Sequence, residues 1–340
     1  MESELQSGRR PRALGLQNTG THNRVGVVSL ASCVEPSALE VGCSALRALT
    51  GWQVETSSAA LAQEADFAGS ASARAAALSE LWLREDVDAI ICSRGGYGSN
   101  YLLPLLDFDA LRRNPKVFVG YSDNTSLLLA LGRAGIVSFH GPMIASDFAT
   151  GRVDEYSFRA ALCGQSLDFA FPADSKVQPL ITGEARAPIT GGCLSVVVTS
   201  LGTPWEIETE GKILFLEDVN EKPFRIDRML MHLLLAGKFR GVRGIIFGAM
   251  RGCAPASPQE ETLPQMIRRI LGVLGIPIVF GFPSGHVESG NITLPFGVPA
   301  LLSSSQSAVR LQVEPATLIT PEGVIQNSNR QGITRTNEGS

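Results

Sequence analysis

A serine stands where a short apolar run gives way to a helical pattern. Residues 116–120 are apolar enough for a buried strand, Gly120-Tyr-Ser-Asp123 follows, and residues 125–133 have the spacing of a helix. A hydroxyl at such a turn lies beside helix N-terminal amides, which can bind the negative oxygen of a tetrahedral intermediate. Ser122 is therefore a candidate nucleophile. The alternative is a helix cap, and the G-x-S-x-G pattern is not met because Asn124 stands in place of the second glycine.

A serine nucleophile needs a base, because a hydroxyl is a weak nucleophile at neutral pH. The chain has four histidines. His22 falls in a polar N-terminal segment and His232 in an apolar helical pattern. His140 follows a strand pattern, and a structural role and a place near the site are both open for it. His286 lies in a loop after the apolar run 276–281, where an imidazole can face a cleft, so by elimination it is the candidate base.

The imidazole in turn needs a third group that holds its tautomer and stabilises its cation. Acidic residues follow the apolar run 213–216, and Glu217 emerges first, so the strand fixes its position most rigidly. Capping of the next helix is the alternative role for these acids, and it suits Asp218 and Glu221 better than Glu217. Glu217 is therefore the candidate acid.

Residues 94–98, here called the glycine loop, follow the apolar run 87–92. The loop lacks the lysine and the Ser/Thr of a phosphate loop. Its glycines favour either a close approach of backbone amides to a substrate or a tight turn. No metal site is predicted, since the histidines form neither H-x-x-H nor H-E-x-x-H and the six cysteines lack C-x-x-C spacing.

Apolar runs alternate with helical patterns from residue 24 onward. This alternation predicts an α/β fold with a parallel sheet, Rossmann- or flavodoxin-like, flanked by helices, and then a C-terminal α+β domain. Parallel sheets bind ligands at the carboxyl ends of their strands, where the glycine loop and Ser122 fall. The predicted strands are 25–30, 52–56, 87–92, 116–120, 212–216, 244–249, 277–281, 300–302 and 308–313, and the predicted helices are 36–49, 71–83, 125–133, 193–201, 226–235 and 260–271.

The alternating pattern breaks in a stretch rich in glycine, proline and polar residues, which predicts a domain boundary. The N-terminal α/β domain, 24–165, carries the nucleophile, and a linker, 166–186, follows it. The C-terminal domain, 187–320, carries the acid and the base. Polar composition without periodicity predicts a disordered tail over 1–23 and a frayed tail over 321–340.

The composition of the 340 residues excludes some classes of function. The net charge is −4 and no basic cluster stands out, so nucleic acid is not an expected partner. No stretch approaches the ~20 apolar residues of a membrane span. Leu30-Ala-Ser-Cys33 resembles a lipoprotein cleavage box, but the apolar run before it is shorter than the about 7–15 residues of an export signal. We therefore expect a cytoplasmic location, with no membrane partner.

Together these motifs resemble the LD-carboxypeptidase (muramoyltetrapeptide carboxypeptidase) family of serine peptidases. The resemblance covers roughly residues 24–315. The segments that carry it are Ser93-Arg-Gly-Gly-Tyr-Gly98, Leu102-Leu-Pro104, Val119-Gly-Tyr-Ser-Asp123, His140-Gly-Pro142, Gly191-Gly192, Leu214-Phe-Leu-Glu-Asp218, Glu221-Lys-Pro-Phe224, Ile226-Asp-Arg228 and Gly285-His286. Their combination in this order is far more specific than any one of them.

The resemblance implies a set of site residues and an activity. The family's nucleophile, acid and base fall on Ser122, Glu217 and His286, and its oxyanion hole falls on the backbone amides of Gly96 and Asp123. The implied reaction removes a terminal D-alanine from murein tetrapeptides during peptidoglycan recycling, without a cofactor, and a homodimer is usual. The implied C-terminal domain is built around a small β-barrel-like sheet, with the active site between the domains.

Substrate recognition is left open by the sequence. An exopeptidase must bind the terminal carboxylate, for which Arg94 and Arg225 are candidates, and Tyr97 is a further candidate contact. The family commonly has asparagine in place of Cys193, so substrate preference can differ.

Two alternative functions stay open beside the peptidase. One is a serine hydrolase of aminoacyl- or peptidyl-nucleotide antibiotics that confers self-immunity, for which Trp205 is the tryptophan expected near the cleft. The other is a non-catalytic two-domain ligand-binding protein.

Overall fold

The computed structural model describes residues 14, 16, 22–257 and 259–320. The predicted tails, 1–23 and 321–340, lie outside the described residues, except for residues 14, 16, 22 and 23. Leu16 is buried in the hydrophobic core, and the Asn23 carbonyl oxygen accepts a hydrogen bond from the Gln53 backbone N–H at 2.9 Å. The chain therefore already packs against the body of the protein just before the first strand.

Two β-sheets organise the described residues, one of six strands and one of eight. In chain order the strands are β1 (Arg24–Val28), β2 (Gln53–Thr56), β3 (Ala89–Cys92), β4 (Val117–Gly120), β5 (Ser138–His140), β6 (Leu167–Pro172), β7 (Gln178–Ile181), β8 (Gly183–Cys193), β9 (Ile213–Val219), β10 (Gly244–Arg251), β11 (Ile278–Phe280), β12 (Leu294–Phe296), β13 (Pro299–Ser304) and β14 (Ala308–Val313). The first five belong to the six-stranded sheet, which β12 completes.

Helices connect and cover these strands. In chain order the α-helices are α1 (Pro36–Thr50), α2 (Ala71–Leu83), α3 (Phe108–Arg113), α4 (Thr125–Arg133), α5 (Glu155–Leu162), α6 (Leu194–Thr199), α7 (Pro223–Leu235) and α8 (Leu263–Leu271). Local chemistry sets several starts: the Ser70 side chain accepts from the Ala73 N–H at α2, and Thr262 and Gln265 form a capping box at α8. Within the described part of the chain, no helix combines the length and apolar character needed to cross a membrane.

The first sheet has the strand order β12-β5-β4-β3-β1-β2. Strands β1 to β5 run parallel, and every residue of β3 and β4 is buried. This confirms the predicted parallel sheet flanked by helices. Because parallel strands end at the same edge, the segments after β3 and β4, which are the glycine loop and the turn at Ser122, lie next to each other.

β12 comes from the C-terminal half of the chain but pairs with β5 in the first sheet. Leu294 lies opposite His140, and Phe296 lies opposite Ser138, in antiparallel register. A single hydrophobic cluster continues from the first sheet into strands β13 and β14 of the second. The two halves of the chain therefore pack closely, and the division into 24–165 and 187–320 stays a prediction.

The second sheet has the order β6-β14-β13-β8-β9-β10-β11-β7. Its middle strands, β8 to β11, run parallel, and antiparallel strands flank them on both sides. β7 at one edge approaches β14 near the other, so the sheet curls towards itself. This arrangement agrees with the β-barrel-like sheet that the family resemblance implies. Helices α6, α7 and α8 pack on it in a second hydrophobic cluster.

The segment 166–186, predicted as a linker, instead contains β6, β7 and the start of β8. Leu167 and Phe169 are buried, whereas Asp168 and Ala170 are exposed. This alternation is typical of a strand with one buried face. The nearby proline, glycine and polar residues obscured so short a pattern in the sequence.

Most of the predicted elements are confirmed, and α2, α4 and β14 have the predicted bounds. β9 is longer than predicted and ends at Val219, so Glu217 lies within the strand and not after it. The strand pattern expected just before His140 corresponds to β5, which includes His140 itself. Strand β12 and helices α3 and α5 were not predicted. They are three to eight residues long, too short for a distinctive periodic pattern.

Two helical glycines provide a test of this packing. A Cβ added at Gly42 of α1 would lie 2.1 Å from the Ile144 carbonyl oxygen, whereas one at Gly132 of α4 would meet no atom within 4 Å. Gly42→Ala should lower the free energy of unfolding by roughly 1–3 kcal/mol. Gly132→Ala should raise it by up to about 1 kcal/mol, because alanine is the better helix former. Urea denaturation measures both, and equal stability of the two variants would contradict the packing of α1.

Candidate active site

Ser122 stands on a sharp turn between β4 and α4. Its φ is +60°, in the left-handed region that residues other than glycine rarely adopt. A short 3-10 turn, Ser122–Asn124, then leads into α4. A residue held in this conformation is strained, and such strain is frequent at functional sites. The turn has the geometry of a nucleophile elbow, in which the hydroxyl is presented at the end of the strand.

The glycine loop packs directly on this turn. A Cβ added at Gly95 would lie 2.9 Å from Ser122 Oγ and 3.5 Å from the Asp123 backbone nitrogen, so a larger residue would crowd the hydroxyl. Asn124 Nδ2 donates to the Arg94 carbonyl oxygen at 3.1 Å. The residue that breaks the G-x-S-x-G pattern thus ties the serine turn to the glycine loop.

Further hydrogen bonds hold the loop on both sides. The Ser99 backbone N–H donates to Asp123 Oδ2 at 2.8 Å, and Ser99 Oγ–H donates to the Asp123 carbonyl oxygen at 2.6 Å. The Tyr97 backbone N–H donates to Ser32 Oγ at 3.1 Å. Gly96 lies between two anchored residues, Arg94 and Tyr97, and has a φ of +119°. The two residues predicted for the oxyanion hole, Gly96 and Asp123, therefore belong to two segments that are fastened to each other.

Glu217 is fully buried in β9, opposite Cys193 of β8. The loop that carries His286 closes on its carboxylate. Gly285 makes this approach possible, because its φ is +99° and an added Cβ would lie 2.5 Å from Glu217 Oε2. Any side chain at position 285 would push the loop away from Glu217.

His286 connects the two sheets. Its Nδ1–H donates to Glu217 Oε2 at 2.6 Å, and its Nε2 lies 3.1 Å from Ser122 Oγ, the geometry needed to accept the hydroxyl proton. The His286 backbone N–H also donates to Glu217 Oε2, at 3.2 Å. The Tyr121 ring packs edge-on against the imidazole, with ring centroids 5.0 Å apart. The structure thus brings all three predicted triad residues into one hydrogen-bonded line.

Burial and nearby charge shift the pKa values of Glu217 and His286 in opposite directions. Burial favours the neutral form of Glu217, but the charge and hydrogen bonds of His286, with the nearby imidazole of His140, outweigh it and hold the pKa of Glu217 below its usual value. Burial also favours neutral His286, yet the charge and hydrogen bond of Glu217 raise the pKa of His286 above 6.5. The result is an ionised carboxylate beside an imidazole of raised basicity, as general-base chemistry requires.

His140 lies on the other side of Glu217 and is fully buried. Its Nε2 is 3.8 Å from Glu217 Oε1, and its Nδ1 is 3.3 Å from Ser284 Oγ. Ser284 Oγ–H in turn donates to the Ile292 carbonyl oxygen at 2.7 Å. Of the two roles left open for His140, the structure favours the one near the site, through Glu217.

A cavity of about 180 Å³ opens beside Ser122 and His286. Its lining includes the glycine loop residue Arg94, as predicted, and also Arg152 and Arg251, which the sequence analysis missed. Arg251 is the last residue of β10 and follows a predicted strand, so the rule that ligands bind at strand ends could have identified it. Arg152 lies in an irregular segment, and no local pattern marks it.

The remaining candidate contacts lie outside this cavity. Arg225 is exposed on α7, 3.6 Å from Glu221 Oε2. Tyr97 is about half exposed and packs against neighbouring aromatic rings. Trp205 is half-buried against the hydrophobic core. Of these four predicted contacts, the structure brings Arg94 to the cavity and leaves Arg225, Tyr97 and Trp205 outside it.

A larger groove of about 800 Å³ contains none of the predicted site residues. Its charges are largely paired within the protein, with Arg133 Nη1 2.8 Å from Glu208 Oε1 and Lys238 Nζ 2.9 Å from Glu206 Oε1. Among the residues that the structure describes, no group of three or more His, Cys, Asp or Glu side chains could hold a metal ion.

Cys193, which stands in place of the family's asparagine, does not line the cavity. Its backbone N–H donates to Thr125 Oγ1 at 3.0 Å, and its thiol donates to Asp218 Oδ1 at 3.6 Å. Burial, together with the charges of Glu217 and Asp218, raises the pKa of the thiol well above its ordinary value, so the thiol stays neutral. Any effect of Cys193 on substrate preference stays a prediction.

Comparison with known proteins agrees with this fold. A family model described as the LD-carboxypeptidase N-terminal domain matches residues 25–141, and one described as the LD-carboxypeptidase C-terminal domain matches residues 186–302. The two matches come in order and include Ser122, Glu217 and His286. The chain therefore belongs to the LD-carboxypeptidase family, a family of peptidases, as its motifs predict.

Individual relatives agree with this assignment. A probable murein peptide carboxypeptidase of Bacillus subtilis is 33% identical over 309 residues, which cover 89% of this chain and 94% of that protein. A solved muramoyltetrapeptide carboxypeptidase from Oxalobacter formigenes has a TM-score of 0.78 at 28% identity and covers 87% of this chain and 100% of its own. The microcin C7 self-immunity protein MccF of Escherichia coli is 27% identical over 262 residues, covering 68% of this chain and 75% of that protein.

Glu217→Gln tests how far the carboxylate raises the basicity of His286. The substitution removes the negative charge but keeps the burial, which lowers a histidine pKa, so the pKa of His286 should fall below 6.5. Titration of the His286 ring signals by NMR measures it. Glu288→Gln, which removes an exposed carboxylate from the same loop, is the control and should leave the pKa nearly unchanged. An unaltered His286 pKa in Glu217→Gln would contradict the assigned pairing.

Proposed function

We propose that this chain is a serine-type LD-carboxypeptidase that releases the terminal D-alanine of murein tetrapeptides. The observation that carries the proposal is the hydrogen-bonded line from Ser122 through His286 to Glu217, with the serine on a left-handed turn. Family membership and the similarity to a probable murein peptide carboxypeptidase support the class of substrate.

In the first half-reaction, Ser122 Oγ attacks the carbonyl carbon of the amide that joins an L-centre to D-alanine. The hydroxyl proton moves to His286 Nε2, and Glu217 stabilises the imidazolium through Nδ1–H. The imidazolium then protonates the amide nitrogen, the C–N bond breaks, and D-alanine leaves. Water, deprotonated by the same Nε2, attacks the acyl-enzyme ester, and Oγ takes the proton back. These steps balance without a cofactor.

The negative oxygen of the tetrahedral intermediate needs donors already in place. We assign this role to the backbone N–H groups of Gly96 and Asp123. The contact of Gly95 with both Ser122 and the Asp123 nitrogen supports the assignment, because it keeps the glycine loop against the nucleophile. Asn124 and Ser99 hold the loop there through their hydrogen bonds.

A second candidate keeps the same chemistry and changes the substrate to an aminoacyl- or peptidyl-nucleotide. The similarity to the self-immunity protein MccF supports it. Trp205, the tryptophan expected to stack on a nucleotide, does not line the Ser122 cavity, so the murein peptide remains the preferred substrate. A purely binding role is the weakest candidate, since it requires neither the strained serine nor its hydrogen bond to a paired imidazole.

Location and assembly rest on the resemblance alone. We propose that the protein acts in the cytoplasm, in peptidoglycan recycling, and that it is a homodimer like other members of the family. Analytical ultracentrifugation of the purified chain measures the second point directly, and a monomer at micromolar concentration would overturn it.

Release of D-alanine from a murein tetrapeptide tests the proposed reaction. The wild type should release D-alanine, and Ser122→Ala should lose at least about a thousandfold in kcat. Ser79→Ala is the matched control. Ser79 lies on α2 and does not line the Ser122 cavity, so this variant should retain full activity. Release by Ser122→Ala at the wild-type rate would exclude the nucleophile. Hydrolysis of aspartyl sulfamoyl adenosine but not of the tetrapeptide would favour the second candidate.

The pH profile tests the base. His286 must be neutral to accept the serine proton, and its pKa is raised above 6.5. The rate constant kcat/KM should therefore fall as the pH drops through the pKa of His286, with its acid limb centred above pH 6.5. In Glu217→Gln the same limb should move to lower pH as the residual activity falls. An acid limb below pH 6.5 in the wild type would contradict the pairing of His286 with Glu217.

A further inference from the structure

The cavity beside the nucleophile is lined by positive charge. Arg94, Arg152 and Arg251 all contribute to its wall, and none of the described residues that line it is acidic. The cavity is small, about 180 Å³, and it also contacts Ser122 and His286. Guanidinium groups gathered around so small a space attract an anionic group of matching size.

Arg152 is the most firmly held of the three arginines. Its Nη2 donates to the Ser146 carbonyl oxygen at 2.5 Å, and its Nε is 3.7 Å from Asp147 Oδ1. Its side chain is 25% exposed, whereas that of Asp147 is buried. The Arg152 guanidinium is therefore fixed at the cavity wall by contacts on one edge only.

Asp147 forms an ion pair with Arg152 and also accepts three hydrogen bonds from neutral donors. Its Oδ1 accepts from Tyr121 O–H at 3.2 Å, and its Oδ2 accepts from the Met143 backbone N–H at 3.0 Å and from Ser146 Oγ–H at 2.7 Å. Arg152 Nε faces Asp147 and is buried, and it forms no hydrogen bond with any described residue. The part of the Arg152 side chain that is exposed is therefore what remains available to an anion that enters the cavity.

The other two arginines, Arg94 and Arg251, form no ion pair with any described residue. Arg94 Nη1 donates to a neutral acceptor, the Cys33 carbonyl oxygen, at 3.2 Å. Arg251 is exposed at the end of β10, and its side chain forms no ion pair with any residue that the structure describes. By contrast, the guanidinium of Arg225 outside the cavity faces Glu221. Two of the three cavity arginines, Arg94 and Arg251, thus form no ion pair with a described residue, and they lie beside the reactive serine.

The position of the cavity matches one chemical group of the proposed substrate. When Ser122 attacks the scissile carbonyl, the leaving nitrogen must face His286 Nε2. The carboxylate of a C-terminal residue is two bonds from that nitrogen, so its oxygens lie within about 4 Å of it. A cationic pocket that contacts His286 is therefore where an exopeptidase must hold the free C-terminus.

We infer that Arg152, oriented by Ser146 and Asp147, and Arg251 form the subsite for the α-carboxylate of the residue to be released, with Arg94 at its rim. The inference rests on the proposed function. The subsite explains how the same serine site selects terminal over internal peptide bonds: an internal residue has an uncharged amide where the arginines require an anion.

Binding to the catalytically silent Ser122→Ala background tests the subsite independently of turnover. The probes are a murein tetrapeptide that ends in D-alanine and the same peptide with its C-terminal carboxylate converted to a primary amide, both measured by calorimetry. The free acid should bind about 10- to 100-fold more tightly than the amide, as charge-assisted hydrogen bonds predict. Adding Arg152→Gln or Arg251→Gln should reduce this ratio and leave affinity for the amide nearly unchanged.

Matched controls separate binding from folding. Arg243→Gln removes an exposed arginine outside the cavity and should leave the ratio intact. If Arg152→Gln lowers thermal stability, Arg251→Gln still decides the question, because Arg251 is exposed. Equal affinity for acid and amide, or a ratio that survives both substitutions, overturns the subsite. If Arg152→Gln weakens the binding of aspartyl sulfamoyl adenosine but not of the peptide, Arg152 does not bind the peptide carboxylate and its assignment is overturned.

D-Alanine release by the wild type is measured in parallel, so that the two proposals fail separately. Release together with an unchanged acid-to-amide ratio in the arginine variants rejects the subsite and keeps the peptidase. A ratio that depends on arginine, without any release, keeps the subsite and rejects the reaction.

Discussion

The buried carboxylate of Glu217 is the interaction on which the rest of the site depends. Removing a charge from water costs several kcal/mol, and it persists in a protein only where donors replace the water. Here the imidazole and the backbone N–H of His286 supply those donors on one oxygen, and His140 faces the other. The same contacts that stabilise the charge therefore set the position, tautomer and basicity of the candidate base.

That constraint extends to the packing of the two sheets. Glu217 and His286 belong to the second sheet and its loops, whereas Ser122 stands at the end of a strand in the first. The hydrogen bond that Ser122 Oγ–H donates to His286 Nε2 requires the two loops to approach more closely than a side chain at either of two glycines would allow. Gly285 next to Glu217 and Gly95 next to Ser122 provide that space. β12 then joins the C-terminal half to the first sheet beside His140, which helps to hold the halves in register.

Charge is distributed in layers around the reactive serine. The acids Glu217 and Asp147 are buried behind the site, where each accepts hydrogen bonds. The arginines 94, 152 and 251 line the cavity in front. Negative charge behind His286 raises its basicity. Under the proposed function the two layers serve different steps, proton transfer and recognition of an anionic group, and the imidazole stands between them.

Local patterns in the sequence determined strands β1 to β4 of the first sheet, and with them the strand-to-helix turn at Ser122, because strand and helix periods are properties of neighbouring residues. The scarcity of histidines, four in the chain, was enough to propose His286. The place of Glu217 after an apolar run was enough to propose it among the many acids of the chain. Arg152, the contact of Gly285 with Glu217 and the pairing of β12 with β5 involve residues far apart in sequence, and no local pattern encodes such proximity. The tertiary structure alone decided them, because a close approach between distant segments depends on how whole sheets pack.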